Sequence, residues 1–377
     1  MSLPLSFDGL DPHSPLGRTL EHLSVLVLSD TQNPPRAIGT GGMFDYLQAH
    51  LPGFRHCLTD HGAGAVSLLS IRGKPRFLFN VHLDTVPAAP TWTRNPHELL
   101  VTSDRAIGLG ACDIKGAAAA FVSAAACSDG DAAFLFTTDE EANDSRCIPA
   151  FLSESHAYDA VLVAEPTRVE AVLAHRGIAS VQMRLKGRSG HASADMAGTD
   201  SALHQSVRWG ARALDFVDAQ RHQRFGGLTG LRFNIGRVEG GIKANMIAAA
   251  AEIRFGFRPL PSMDSESLHT QFRECVAAES IASYAVTFAG PSLPAGDVAG
   301  AEARRLAARD IADELELTIG NAVDFWTEAS LFSAAGYTSF VFGPGDIAQA
   351  HAADEWVSLQ ELQSYTAAVI RILNHGH

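Results

Sequence analysis

Four short apolar runs in this chain each lead into residues able to bind a metal ion. Phe77-Leu-Phe-Asn-Val81 runs into His82, and Ala132-Ala-Phe-Leu-Phe136 into the acidic triplet Asp139-Glu140-Glu141. Ala160-Val-Leu-Val163 is followed by Glu165, and Thr338 to Phe342 reaches His351 through the turn Gly343-Pro-Gly345. Runs of this length and composition read as buried strands. Helical stretches stand between them, one alanine-rich from Ile114 to Ala126 and another from Ser145 to Ser153. Alternation of this kind predicts an α/β domain with a mostly parallel central sheet. Open α/β sheets bind ligands at the carboxyl ends of their strands, so these polar residues are predicted to share one crevice.

The middle of the chain has another rhythm. Ser180 to Lys186 alternates as a strand, and Ser201 to Phe216 is helical. Leu231 to Val238 and Ile247 to Phe257 are strands, Ser265 to Ala277 a helix, and Tyr284 to Phe288 a strand. That order, βαββαβ, predicts a ferredoxin-like domain. Helix and strand patterns then resume over Ala301 to Leu315, Thr338 to Phe342 and Leu359 to Leu373. A chain of 377 residues exceeds the usual single-domain size. The simplest division has a discontinuous metal-binding catalytic domain, residues 1–176 and 291–377, interrupted by an inserted domain over residues 177–290.

Composition narrows the function. The formal net charge is −13, and no cluster of Lys and Arg interrupts it, which argues against a nucleic-acid or anionic-membrane partner. The five cysteines (Cys57, Cys112, Cys127, Cys147 and Cys275) are scattered and form no CxxC pair. A disulfide framework or a cysteine zinc site is therefore not expected, and a reducing cytoplasm fits. Met1 to Leu16 lacks a basic start and a long apolar run, so no signal peptide is read there.

Each candidate ligand has an ordinary alternative. His82 alone is a common histidine, but Asp84 lies two residues on, on the same face of a strand, where a carboxylate can accept the other imidazole N–H. Asp113, in Gly110-Ala-Cys-Asp113-Ile-Lys-Gly116, could simply cap the helix that follows. The triplet Asp139-Glu140-Glu141 could be a solvated acidic turn, although three adjacent acids after a buried strand repel one another unless a cation neutralises them. His351 is distinguished only by its Gly-Pro-Gly approach. Together, two histidines and three carboxylates (His82, Asp113, Glu141, Glu165, His351) can hold two divalent ions if one carboxylate bridges them. Glu140 would then be spare to deprotonate an attacking water.

The ordered signatures, over nearly the whole chain, resemble the dinuclear-zinc hydrolase family of acetylornithine deacetylase, succinyl-diaminopimelate desuccinylase, aminoacylase and glutamate carboxypeptidase. Phe225-Gly-Gly-Leu-Thr-Gly-Leu-Arg-Phe-Asn-Ile-Gly236 and Asp324-Phe-Trp-Thr-Glu-Ala-Ser-Leu-Phe332 look like the branch that acts on N-acetylcitrulline in arginine biosynthesis. The resemblance implies a cytoplasmic homodimeric deacetylase, with acetylornithine deacetylase the alternative and an aminoacylase, dipeptidase or desuccinylase further away. It implies that Asp113 bridges two Zn or Co ions, that His82 and Glu165 complete one, and that Glu141 and His351 complete the other. Glu140 would be the general base and Asp84 would orient His82. His191, in Gly190-His191-Ala-Ser193, matches the family residue that stabilises the oxyanion from the partner subunit's inserted dimerisation and lid domain. Asn245, in Gly240-Gly-Ile-Lys-Ala-Asn245, and Arg258 match substrate-binding positions, Arg258 clamping the α-carboxylate. Glu328, in Trp326-Thr-Glu328-Ala, is either a substrate contact or a structural acid near the metals. Ala142-Asn143 departs from the family, where many members carry glycine at the second position.

Overall fold

The computed structural model describes residues 10–141, 144–194 and 201–375; the departure at Ala142-Asn143 lies outside them. The chain forms two compact units. One comprises residues 1–173, 306–320 and 327–377, the other residues 174–305 and 321–326. The second unit thus takes in residues 291–305 and 321–326 as well as the inserted βαββαβ segment.

The first unit is built on a six-stranded sheet. Its strands lie in the order Arg55–Asp60, Val66–Arg72, Ala132–Thr137, Phe77–His82, Ala160–Val163, Ser339–Val341. The last four pair in parallel, as the alternation with helices predicts. The first two, absent from the sequence reading, add an antiparallel edge. Arg55-His-Cys-Leu-Thr-Asp60 is mostly polar and largely solvent-facing, so it carries no apolar run to announce it. Phe77–His82 and Ala132–Thr137 are buried at every residue, which explains why they read as continuous apolar runs rather than alternating ones.

Gly116–Ala126 is buried at every residue but the last, packed between the helices Pro15–Leu28 and Leu359–Asn374. Its alanines let those helices approach closely while Phe121 stacks on Phe134 at 5.1 Å between centroids. Helix ends follow their caps: Ser14 accepts from the Gly17 N–H ahead of Pro15–Leu28, and Ser358 from the Glu361 N–H ahead of Leu359–Asn374. The helix after Asp113 begins later than predicted. Residues Ala111–Lys115 form a separate irregular turn in which Asp113 has φ −121° and ψ 87°. Asp113 is therefore not the cap of Gly116–Ala126, and the ordinary alternative for it falls.

The second unit is a four-stranded antiparallel sheet in the order Arg232–Gly240, Ala250–Arg258, Ile178–Lys186, Ile281–Gly290. Ile178–Lys186 and Ala250–Arg258 alternate buried and open residues, so one face is covered. Trp209 and Phe272, from helices Ala202–Ala219 and Ser265–Glu274, fill that face with Val181, Met183, Ile253 and Phe257.

Candidate metal centre

His82 ends its strand and is almost fully buried, 2% exposed. Its Nδ1 faces the Asp84 carbonyl at 3.0 Å and the Asp84 carboxylate at 3.4 Å. Its Nε2 faces Asp113 Oδ1 at 3.3 Å and Glu165 at 3.8 Å. The other oxygen of the same aspartate, Oδ2, lies 3.3 Å from His351 Nε2, which is also 3.2 Å from Glu141. Two three-residue clusters therefore meet at one carboxylate: His82, Asp113 and Glu165, and Asp113, Glu141 and His351. Within each, one ligand atom from every residue lies within 4.8 Å of the others. Asp113 Oδ1 is buried with no hydrogen-bond partner. A buried carboxylate oxygen without a donor is costly, and a cation between Asp113, His82 and Glu165 would answer it. The donor set of imidazoles and carboxylates fits a borderline divalent ion, and no cysteine joins it.

Local folding explains the convergence. Gly343 packs against the Glu165 backbone so closely that a Cβ there would fall 2.5 Å from the Glu165 carbonyl. Gly345 has φ +95°, and its Cβ would meet the Cys112 sulfur at 2.6 Å. The Gly-Pro-Gly turn can thus lie on both the Glu165 and Asp113 loops, which brings the following segment to the site. Gly345 N–H also donates to Glu361 at 2.7 Å. Cys112 turns away from the cluster, its Sγ 3.4 Å from the Asp346 carbonyl. His351 itself has φ +57°, a conformation costly for a non-glycine residue and concentrated at functional sites.

Asp84 does more than face His82. Its carboxylate accepts from Asn33 Nδ2 at 2.8 Å, from Glu141 N–H at 3.1 Å and from Glu140 N–H at 3.4 Å. It thereby ties the histidine strand to the acidic triplet. Asp139 turns inward to accept the N–H groups of Arg146 and Cys147, so the first acid of the triplet folds its own loop and frees the next two. Glu328 is buried, 1% exposed, with Asp139 and Glu140 its principal charged neighbours. Glu355 was missed altogether: it is 2% exposed and its carboxylate accepts three N–H groups around Asp113.

In the second unit, strand residues Gly190–His191 pair with Met246–Ile247, and the Ala192 N–H donates to the Asn245 carbonyl at 3.0 Å. The two motifs that carry His191 and Asn245 thus form one exposed ribbon, with His191 Nδ1 2.6 Å from Ser193 Oγ. Arg258 ends its strand in register with Arg232, and both line a cavity of 610 Å³ on the uncovered sheet face. Asp324 pairs with the buried Arg176 and with Arg232 at 3.5 Å.

Crowded acids distort one another's ionisation. Burial, and then Glu141 and Asp113, push the Glu140 carboxyl up to about 8 against the pull of His82, though part of its surface stays open. Burial, then Asp113, raises Glu165, and burial with Asp113 lifts Glu355 to about 8. Hydrogen bonds to Asp113 and Glu141 raise His351 to about 10. Asp113 resists burial and is held well below the usual carboxylate range by His351 and His82. Without cations, Glu140 and Glu355 keep protons that an unfolded chain gives up near 4.5, so folding loses support as pH rises from there to about 8. His351 adds to the trend, its contribution being complete below 6.5 and lost as pH approaches about 10. Asp113 acts oppositely, but only as pH falls below 3.8. The melting temperature of chelator-treated protein should therefore fall from about pH 6 to about pH 8, above which the buried Lys115, its ammonium depressed to about 8, acts the other way; Zn²⁺ should flatten that slope. A flat or rising profile in chelator would contradict this charge arrangement.

A mixed, mostly parallel sheet with two carboxylate-histidine clusters at its strand ends defines a metal-dependent hydrolase. The chain belongs to peptidase family M20/M25/M40, whose profile matches residues 78–375. It is 66% identical over 363 residues to N-acetyl-L-citrulline deacetylase of Xanthomonas campestris pv. campestris, covering 96% of this chain and 99% of the relative. It is 28% identical over 332 residues to acetylornithine deacetylase of Salmonella paratyphi B, covering 84% and 82%. Aminopeptidase PepT from Bacillus cereus shares the fold with a TM-score of 0.69 at 18% identity, over 96% of this chain and 98% of that one. An M20 family metallo-carboxypeptidase from Sulfolobus solfataricus does so with a TM-score of 0.65 at 15% identity, over 94% and 98%. Among the described residues, no helix is long and apolar enough to cross a membrane.

Proposed function

We propose that this chain removes the acetyl group from N-acetyl-L-citrulline, releasing acetate and citrulline for arginine biosynthesis. The identity of 66% across nearly the full length of a relative named for that reaction carries the substrate. His82, Glu165 and one oxygen of Asp113 would hold one divalent ion, Zn²⁺ or Co²⁺. Glu141, His351 and the other oxygen would hold a second. Ions bound there would supply Lewis acidity, polarising a carbonyl and making water a stronger acid by roughly nine pK units.

The remaining steps belong to the protein. Glu140 takes a proton from the attacking water and passes it to the leaving amine. Asp84, through its hold on the Glu140 and Glu141 N–H groups, keeps this base beside its neighbouring ligand. His191 donates to the developing oxyanion, Asn245 hydrogen-bonds the substrate, and the planar guanidinium of Arg258 pairs with the α-carboxylate.

A second copy of the chain is the proposed partner, with the inserted unit as dimerisation and lid domain. Val207 and Leu214, 71% and 52% exposed on helix Ala202–Ala219, and Val238 on the outermost strand Arg232–Gly240, support this. The five cysteines are all free, which supports a cytoplasmic location.

N-acetylornithine is the second reading, favoured by the relatives at 28% identity. The two substrates differ in a neutral ureido against a cationic amine. A buried unpaired charge costs several kcal/mol, so a pocket suited to one rejects the other. The test compares kcat/KM for N-acetylcitrulline, N-acetylornithine and N-succinyl-diaminopimelate with Zn²⁺- and Co²⁺-loaded protein. N-acetylcitrulline should be preferred by at least about tenfold. Preference for N-acetylornithine would overturn the citrulline assignment and leave the hydrolase chemistry standing.

A further inference from the structure

We propose that Glu355 is the positioning residue for the shared carboxylate: by gripping the turn that carries Asp113, it fixes that side chain between the two clusters. The inference rests on the reading that Asp113 serves two ions. Glu355 Oε1 accepts from the N–H groups of Cys112 at 2.8 Å and Asp113 at 2.9 Å, and Oε2 from Gly110 N–H at 3.1 Å. One buried carboxylate thus satisfies three donors of a single turn.

Those donors need it because residues Ala111–Lys115 are not regular helix, with Asp113 at φ −121° and ψ 87°. Buried backbone N–H groups without acceptors are rare and costly. With Glu355 gone, the turn gains by rearranging, for example by extending helix Gly116–Ala126 backwards by one turn, and any such change carries the Asp113 oxygens away from both histidines. The grip also has a second end. Glu355 lies four residues after His351, and its own carbonyl accepts from Gly108 N–H at 3.0 Å, while the next residues, Trp356–Ser358, pair with Arg105–Ile107. One short segment therefore delivers a ligand of the second cluster and holds the loop of the shared one. Its removal should weaken the two ions together rather than one alone.

The test uses Glu355→Gln and, as a second variant that keeps the charge on a shorter arm, Glu355→Asp. Co²⁺ stoichiometry and affinity are measured on the full chain by chelator competition, with the visible spectrum of the Co²⁺ protein and the melting temperature in chelator. Groups that orient ligands typically contribute 10–100-fold to metal affinity. Each variant should lose affinity by about that factor, show an altered Co²⁺ spectrum, and lower kcat more than it changes KM. Two ions in the parent chain, with affinity and spectrum unchanged in both variants, would overturn the positioning role whatever happens to the melting temperature. Fewer than two ions in the parent chain would overturn the reading on which the proposal rests.

Discussion

Glu140→Ala is expected to lower kcat by about 10²–10⁴, the usual contribution of a positioned general base, while the protein still binds two ions. The two effects separate because Glu140 belongs to neither cluster: the atoms that meet at Asp113 come from His82, Glu165, Glu141 and His351. Its backbone N–H, held by Asp84, survives the substitution. Loss of one acid from a crowded set should even help the fold of the metal-free protein at neutral pH, since burial and its neighbours oppose the Glu140 charge. His191→Ala should cost less, about 10²–10³ in kcat, as for loss of one oxyanion donor. Retained turnover in Glu140→Ala would remove it as the base.

Asp113→Asn should have the opposite signature, losing metal and turnover together. An amide offers one acceptor oxygen where the carboxylate offers two, and here the two face different histidines at 3.3 Å each. Whichever way the amide turned, one cluster would face an NH₂ donor instead of an anionic ligand. The Co²⁺ content should fall to one ion per chain or fewer, and kcat below that of Glu140→Ala. Two ions bound at parental affinity in Asp113→Asn would show that the aspartate is not shared.

The candidate ligands were legible because the sheet announces them. His82, Glu141 and Glu165 follow strands so thoroughly buried that their composition marks them, and a strand end in such a sheet is an address in space. What surrounds them was not legible. Glu355 stands 243 residues from the Cys112 N–H it holds, and nothing local distinguishes it from any acid ahead of a short strand. Asn33, 51 residues from Asp84, has the same character. The turn around Asp113 misled for a related reason. An alanine-rich stretch predicts helix from its own propensity, but a distant carboxylate holds the turn around Asp113, and the helix begins at Gly116 rather than Ile114. The antiparallel edge over residues 55–72 escaped because its outer strand is mostly polar and stabilised by pairing rather than by burial. Local pattern marks which residues could bind; long-range hydrogen bonds fix how they are aimed.

Anomalous diffraction from crystals of the Zn²⁺- or Co²⁺-loaded protein tests the central claim most directly. Two ions about 3.5–4 Å apart, as in other paired-metal hydrolases, are predicted, one beside each oxygen of Asp113. One of them should contact His82 and Glu165, the other Glu141 and His351. A single fully occupied ion, or two ions that do not share Asp113, would contradict it.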